Sequence, residues 1–267
     1  MRRPTVSVLM NCLNGARYLK EALDSVYAQT YEDWEIIFWD DASTDASATI
    51  ALQSHFPDTR LRYFRGAGGQ PLGAARNQAL AQCCGRYVAL LDCDDLWMPT
   101  KLQRQLAYIE NRPQTGMLFA DCLYVDADGN SIGSAFARTP PPSGLSVYAA
   151  LLERPNFIPS PTILWRTDAL RKVNGFPLTY RYAETFAACL RIAQQFVVDW
   201  IAPASYLSAI VASYRIHRGN RGGTGCHGMT KEVLQEMALH RVGAGWRQYL
   251  REGMLWARYG GQLLAGS

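Results

Sequence analysis

No stretch of about 18 uncharged apolar residues occurs among the 267 positions, so the sequence offers no candidate for a membrane-crossing helix. The N-terminus reads Met-Arg-Arg-Pro and enters a strand-like run at residues 5–10, without the apolar stretch of a secretory leader. Cytosolic residence is the resulting expectation. Seven cysteines (Cys12, Cys83, Cys84, Cys93, Cys122, Cys189 and Cys226) are odd in number and show neither CxxC spacing nor a Cys/His cluster. That pattern argues against a zinc site or disulfide framework and for reduced, mostly buried thiols. No internal repeat is evident, and a composition of 48% apolar and 19% charged residues excludes wholesale disorder.

The net charge of +4 is unevenly spread. From Arg215 onward eight Lys/Arg stand against three Glu, net +5, which leaves the first 214 residues at −1. No nucleic-acid partner is expected, and the basic character belongs to the tail.

The first hundred residues alternate strand and helix signals. Residues 5–11 and 34–39 are β-branched and aromatic, residues 61–64 form a short third run, and 87–91 a fourth. Between them, 16–29 carry apolar residues at helical spacing, 45–53 follow cap candidates Asp41, Ser43 and Thr44, and 74–84 stop at Gly85. Such β-α order predicts an α/β fold with a largely parallel sheet, flanked by helices and binding ligands past the carboxyl ends of its strands. Beyond it come a helix over 101–111, a strand over 116–125, an apolar element over 145–152, a strand over 162–165, a helix over 182–195 and a late strand over 206–216. Five glycines fill ten positions at 219–228. Residues 231–264 read as a helical extension with Arg247, Arg251 and Arg258 on one stripe.

Both acidic clusters, Asp40-Asp41 and Asp92-Cys93-Asp94-Asp95, fall just past predicted strands and should converge at one sheet edge. Adjacent carboxylates raise one another's pKa, and a hard divalent cation relieves that cost. Asp92 and Asp94 are therefore candidate ligands for Mn²⁺ or Mg²⁺, with a diphosphate completing the shell. Asp95, before LWMPTKL, is instead a candidate helix cap.

The stretches VSVLMNCLNGARYLKEALDSVYAQTYEDWEIIFWDDASTDAS and PLGAARNQALAQCCGRYVALLDCDDLWMPTKLQRQL resemble the nucleotide-sugar-binding half of family 2 glycosyltransferases of the GT-A fold. The type is similar to bacterial enzymes of surface-polysaccharide or O-antigen assembly. Fainter likeness extends to NGF (174–176), AETFAACLRIA (183–193) and YRIH (214–217). The resemblance implies a donor-binding half over 1–115, an acceptor-side half of the same domain over 116–218, and a Gly-rich loop with a basic helical tail over 219–267. It implies an inverting, metal-dependent transfer from a nucleoside diphosphate sugar, a UDP-sugar foremost, to a saccharide or lipid-linked saccharide. Asp40 or Asp41 would accept from the base or ribose, with Asn14 walling the base. Arg76 and Asn77 would hold the nucleotide or first phosphate, Asp92 and Asp94 the ribose, metal and diphosphate. Arg215 and His217 would close over the diphosphate. The basic tail would suit peripheral contact with the inner face of the cytoplasmic membrane.

One departure stands out. The family's helix near residue 184 usually carries two acids, the second serving as base, whereas this sequence reads Glu184-Thr185. Threonine cannot take a proton at neutral pH, so Glu184 becomes the candidate base. The same gap leaves open a catalytically inactive relative that binds a nucleotide sugar as sensor or assembly partner. A dehydrogenase is disfavoured, because G-x-G-x-x-G is missing after the first strand.

Overall fold

The computed structural model describes residues 3–54, 57–154, 156–202, 209–217, 219–220 and 227–240. Chain order begins β1 (Val6–Cys12), α1 (Ala16–Tyr27), β2 (Trp34–Asp40), α2 (Ser47–Gln53), β3 (Leu61–Arg65), α3 (Leu72–Gln82) and β4 (Tyr87–Leu90). There follow β5 (Leu96–Trp97), α4 (Lys101–Ile109), β6 (Thr115–Phe119), β7 (Asp121–Val125), β8 (Ser131–Ser134), α5 (Ala135–Arg138) and α6 (Val147–Glu153). A 3₁₀ turn at Ser160–Thr162 leads into β9 (Leu164–Arg166), α7 (Thr167–Lys172), α8 (Glu184–Gln195), β10 (Val197–Trp200), β11 (Ile210–Arg215) and α9 (His227–His240).

Seven strands form the main sheet in the order β10-β6-β9-β4-β1-β2-β3. Every residue of β1 and β2 is buried, because helices cover both faces of a parallel sheet centre and leave no polar side to alternate. Pairing is parallel except at β9, which runs antiparallel between β4 and β6. A second sheet, β5-β11-β7-β8, begins one residue after Asp95 and so lies beside the strand ends.

Several boundaries differ from the sequence reading. The single strand expected over 116–125 breaks at Ala120, and its halves serve different sheets. Only the latter half of the expected 162–165 strand is extended, since Ser160–Thr162 is a 3₁₀ turn. Asp41, Ser43 and Thr44 do not cap α2; Asp45 does the equivalent, its Oδ1 accepting from Ser47 N at 2.9 Å. The late strand is seen from Ile210, with 203–208 outside the described residues. The arginine stripe at 247–258 and most of the Gly-rich loop also lie outside them. Among the described residues no helix is long and apolar enough to cross a membrane.

Candidate active site

Loops 13–15, 41–46 and 91–95 meet at the carboxyl edge of the parallel strands. Backbone register puts them there: Cys12 pairs with Asp40 at the ends of β1 and β2, and Leu91 N still donates to Leu9 O at 3.2 Å beyond β4. The two acidic clusters thus share one edge.

Asp92 Oδ1 accepts from Arg76 Nη2 at 2.8 Å. Asp94 Oδ2 lies 2.9 Å from His217 Nε2 and accepts from Asn220 Nδ2 at 3.3 Å. The second oxygen of each has no side-chain partner among the described residues, and the side chains stay 30% and 22% exposed. Burial, then the charge of Asp92, pushes the Asp94 carboxyl upward, with His217 opposing. Two like charges, each with one oxygen that no described side chain holds, fit a hard divalent ion. No group of three or more His, Cys, Asp or Glu among the described residues is arranged to hold a metal by itself, so an ion here would complete its shell from ligand and water.

Asp41, 8% exposed, lies at the same edge. Its Oδ1 accepts from Gln70 Nε2 at 3.2 Å, and a Cβ on Gly66 would come within 2.9 Å of that oxygen. Glycine is what lets the 66–73 loop run against it. Ala42, next in sequence, holds φ at 63°, a left-handed conformation that costs a residue with a Cβ about 1–2 kcal/mol. That turn puts the backbone of Ser43, rather than a ligand, over Asp40. Asp40 is accordingly a correction. It is fully buried, its Oδ1 accepting from Ser43 N at 2.7 Å and its Oδ2 from Tyr63 Oη and from Arg65 Nη1 at 3.2 Å. Burial alone would raise its pKa, but those bonds hold it below the usual carboxylate range. No lone pair is left facing a base.

Three further expectations are corrected for the same reason. Asn77 donates to Phe176 O at 2.6 Å and accepts from Phe176 N at 2.9 Å, so its amide braces the 174–176 turn. Buried Arg215 spends its guanidinium on Asp94 O, Ala127 O and Glu21 Oε2, at 3.1, 3.2 and 2.7 Å. It cannot close over a diphosphate from there. Asp95 caps no helix, since α4 starts at Lys101; its Oδ1 accepts from Arg215 N at 2.9 Å and ties β11 to the strand-end loop. Asn14 stays at the edge with φ 54°, its Oδ1 accepting from Thr44 N at 2.8 Å, which joins the first two loops.

Arg76 connects this edge to Glu184. Only 2% exposed, it donates to Asp92, donates from Nη1 to Thr185 Oγ1 at 3.0 Å, and places Nε 3.3 Å from Glu184 Oε1. Burial would lower its pKa, yet Asp92 and Glu184 raise it on balance. Thr185 Oγ1 also donates to Glu184 Oε1 at 3.0 Å. Where a second acid was expected, a hydroxyl therefore relays between Arg76 and Glu184. Glu184 Oε2 is buried with no hydrogen-bond partner.

Sequence reasoning missed Gln70, Asn220 and Glu232. Glu232 accepts from the backbone N–H groups of Arg181, Tyr182 and Ala183, each at 2.9 Å, and so holds the entry to α8. Nothing in residue spacing signalled these contacts, which join positions far apart in the chain.

Residues 7–134 match the family described as Glycosyl transferase family 2. The chain is 31% identical over 175 residues to the putative glycosyltransferase EpsE of Bacillus subtilis, covering 65% of this chain and 60% of that one. It is 30% identical over 220 residues to the UDP-Glc:alpha-D-GlcNAc-diphosphoundecaprenol beta-1,3-glucosyltransferase WfaP of Escherichia coli, covering 80% of this chain and 78% of WfaP. The fold is similar to the mannosyltransferase PcManGT from Pyrobaculum calidifontis, solved with GDP-Man and Mn²⁺: TM-score 0.67 at 18% identity, over 100% of this chain and 76% of that one. Several curated relatives are longer than the region they share with this chain, as the 60% coverage of EpsE illustrates.

Proposed function

The chain belongs to glycosyl transferase family 2, with a GT-A fold, and from that premise we propose that it moves a sugar from a nucleoside diphosphate sugar, a UDP-sugar foremost, to a saccharide or lipid-linked saccharide hydroxyl in cell-surface polysaccharide synthesis. The observation that carries the donor side is the Asp92/Asp94 pair, each steadied by one basic neighbour and each with one oxygen that no described side chain holds, at the same edge as Asp41. The activity named for WfaP supports the choice of UDP and of a lipid-linked acceptor.

In this reading Asp41 accepts from the base or ribose, Asn14 walls the base, and Asp92 and Asp94 hold Mn²⁺ or Mg²⁺. The ion, when bound, supplies positive charge against that developing on the departing diphosphate. Arg76 fixes Asp92, and His217 fixes Asp94, so that neither carboxylate has to reorganise as charge moves. Glu184 Oε2 takes the proton of the acceptor hydroxyl while that oxygen attacks the anomeric carbon, which inverts the configuration. Glu184 is 3% exposed, so this role requires the acceptor to open the pocket around it.

Thermal unfolding with nucleotides tests the donor site. At a UDP concentration about 100-fold above Kd, with Mn²⁺, stabilisation of about 2.7 kcal/mol is expected, roughly 5–10 °C in Tm. Asp94→Ala should abolish the Mn²⁺-dependent part and leave the nucleotide-free Tm nearly unchanged. If no nucleoside diphosphate stabilises the wild type, the donor reading is wrong.

The burial of Glu184 against Arg76 favours a second reading, a nucleotide-sugar binder without turnover. Donor hydrolysis and transfer separate the two. Glu184→Gln should lower kcat by about 10²-fold or more with donor KM preserved, and equal rates in both proteins would remove Glu184 as base. Nucleotide stabilisation with no detectable hydrolysis or transfer by the wild type would establish the binder.

A further inference from the structure

Cys12 and Cys93 are opposed across the end of the sheet. In the β1–β4 ladder each residue pairs with the one 81 positions later, from Val6↔Tyr87 to Leu9↔Leu90. Carried three steps further, the same offset sets Cys12 against Cys93, and the Leu91 N to Leu9 O hydrogen bond shows the strands still adjacent past the last pair. Neighbouring strands lie about 4.8 Å apart, within the roughly 4.4–6.8 Å between Cα atoms that a disulfide spans. The side chains agree with the backbone. A Cβ on Gly15 would stand 2.9 Å from Cys12 Sγ and 2.5 Å from Cys93 Sγ, so both sulfurs crowd one point that only glycine leaves open. Both thiols are free, Cys12 buried and Cys93 partly exposed.

We propose that Cys12 and Cys93 form a reversible dithiol–disulfide modification site, taking a small disulfide of the glutathione class as oxidant, and that the bond disables the donor site. Cys93, the accessible member, attacks one sulfur of the small disulfide, breaking its S–S bond and releasing one thiol. Cys12 then attacks the Cys93 sulfur, forming the protein disulfide and expelling the second thiol. The protein loses two electrons and two protons, and the small disulfide gains them. Cys93 lies between Asp92 and Asp94, and Cys12 leads into the Asn14 loop, so drawing the sulfurs to bonding distance shifts both ligand-facing loops. Only this consequence rests on the donor reading.

The test uses the full chain carrying Cys84→Ser and Cys226→Ser, which removes the thiol that is exposed among the described residues and the one that lies outside them. After oxidised glutathione, intact mass should fall by two hydrogens and peptide mapping should join Cys12 to Cys93, with dithiothreitol reversing both. Cys12→Ser should stop at a glutathione adduct on Cys93. Should that variant fail to fold, alkylation of the unmutated pair after graded oxidation serves instead: Cys12 and Cys93 should become protected together. Both remaining alkylatable, or cross-links to other cysteines only, overturns the proposal. The oxidised protein should bind UDP with Mn²⁺ at least tenfold more weakly than the reduced protein. Equal binding with the cross-link present overturns the disabling role. If neither form responds to nucleotide, the donor reading fails while the mapped cross-link still establishes the dithiol site.

Discussion

The strand-end side of the site, at residues 13–15, 41–46 and 91–95, is positioned by backbone register, whereas the side carrying Glu184 and Thr185 is positioned by side chains reaching over from other elements. On the first side β1 and β2 end level at the Cys12–Asp40 pair, and β4 runs beside β1 as far as Leu9–Leu90, so the loops that follow emerge along one edge. On the second, α8 is held by Arg76 from α3 and by Glu232 from α9, and the turn before it by Asn77. Register is distributed over many bonds and tolerates a local change. A bridge made by one guanidinium does not.

Arg76→Met probes that difference most severely. It leaves Asp92 and buried Glu184 without their cation, and breaking a buried pair costs about 3–5 kcal/mol, on the order of 10 °C in Tm. Arg76→Lys should recover little, since one ammonium cannot meet Asp92, Glu184 and Thr185 together. A loss under 2 °C on thermal unfolding would mean that α8 is held by something else. Asn77→Ala comes next, at about 1–3 kcal/mol, because it strands both backbone groups of Phe176. Nucleotide affinity of the folded protein should be unchanged. Weaker affinity at full stability would return Asn77 to the ligand. Smallest is Asp40→Asn, on the register-held side, at about 1 kcal/mol, the difference between charged and neutral hydrogen bonds. Its sign with pH follows from the lowered pKa. The folded value lies below the unfolded value of about 3.9, so the charge stabilises above that range and its contribution fades as pH falls through the folded value. The gap in stability between wild type and Asp40→Asn should therefore close on acidification below pH about 4, as measured by urea unfolding.

How much of this was legible in the sequence divides along the same line. The β-α alternation fixed the elements through β4 to within about two residues, and placing ligands at strand ends follows from the topology. The placing of Asp92 and Asp94 at the strand-end edge was readable because both follow directly on a buried strand. Asp40, Asn77 and Arg215 were misread because sequence shows which groups a residue owns but not which neighbours consume them. Asp95 looked like a helix cap by composition, yet the next helix begins only at Lys101 and the carboxylate was needed by β11. The Arg76 bridge spans 109 positions to Thr185, and no periodicity reports a contact at that range. The break at Ala120 was hidden because both halves are apolar and extended.

Arg76 has a consequence for how changes at its two partners combine. One guanidinium serves both Asp92 and Glu184, so whatever Arg76 gives up at one carboxylate it can offer to the other. Effects at the two carboxylates are then linked, each changing the other by an equal free energy. Asp92→Asn and Glu184→Gln should therefore be non-additive in a double-mutant cycle, so the effect of either substitution is not a fixed property of its residue until the state of the other is given.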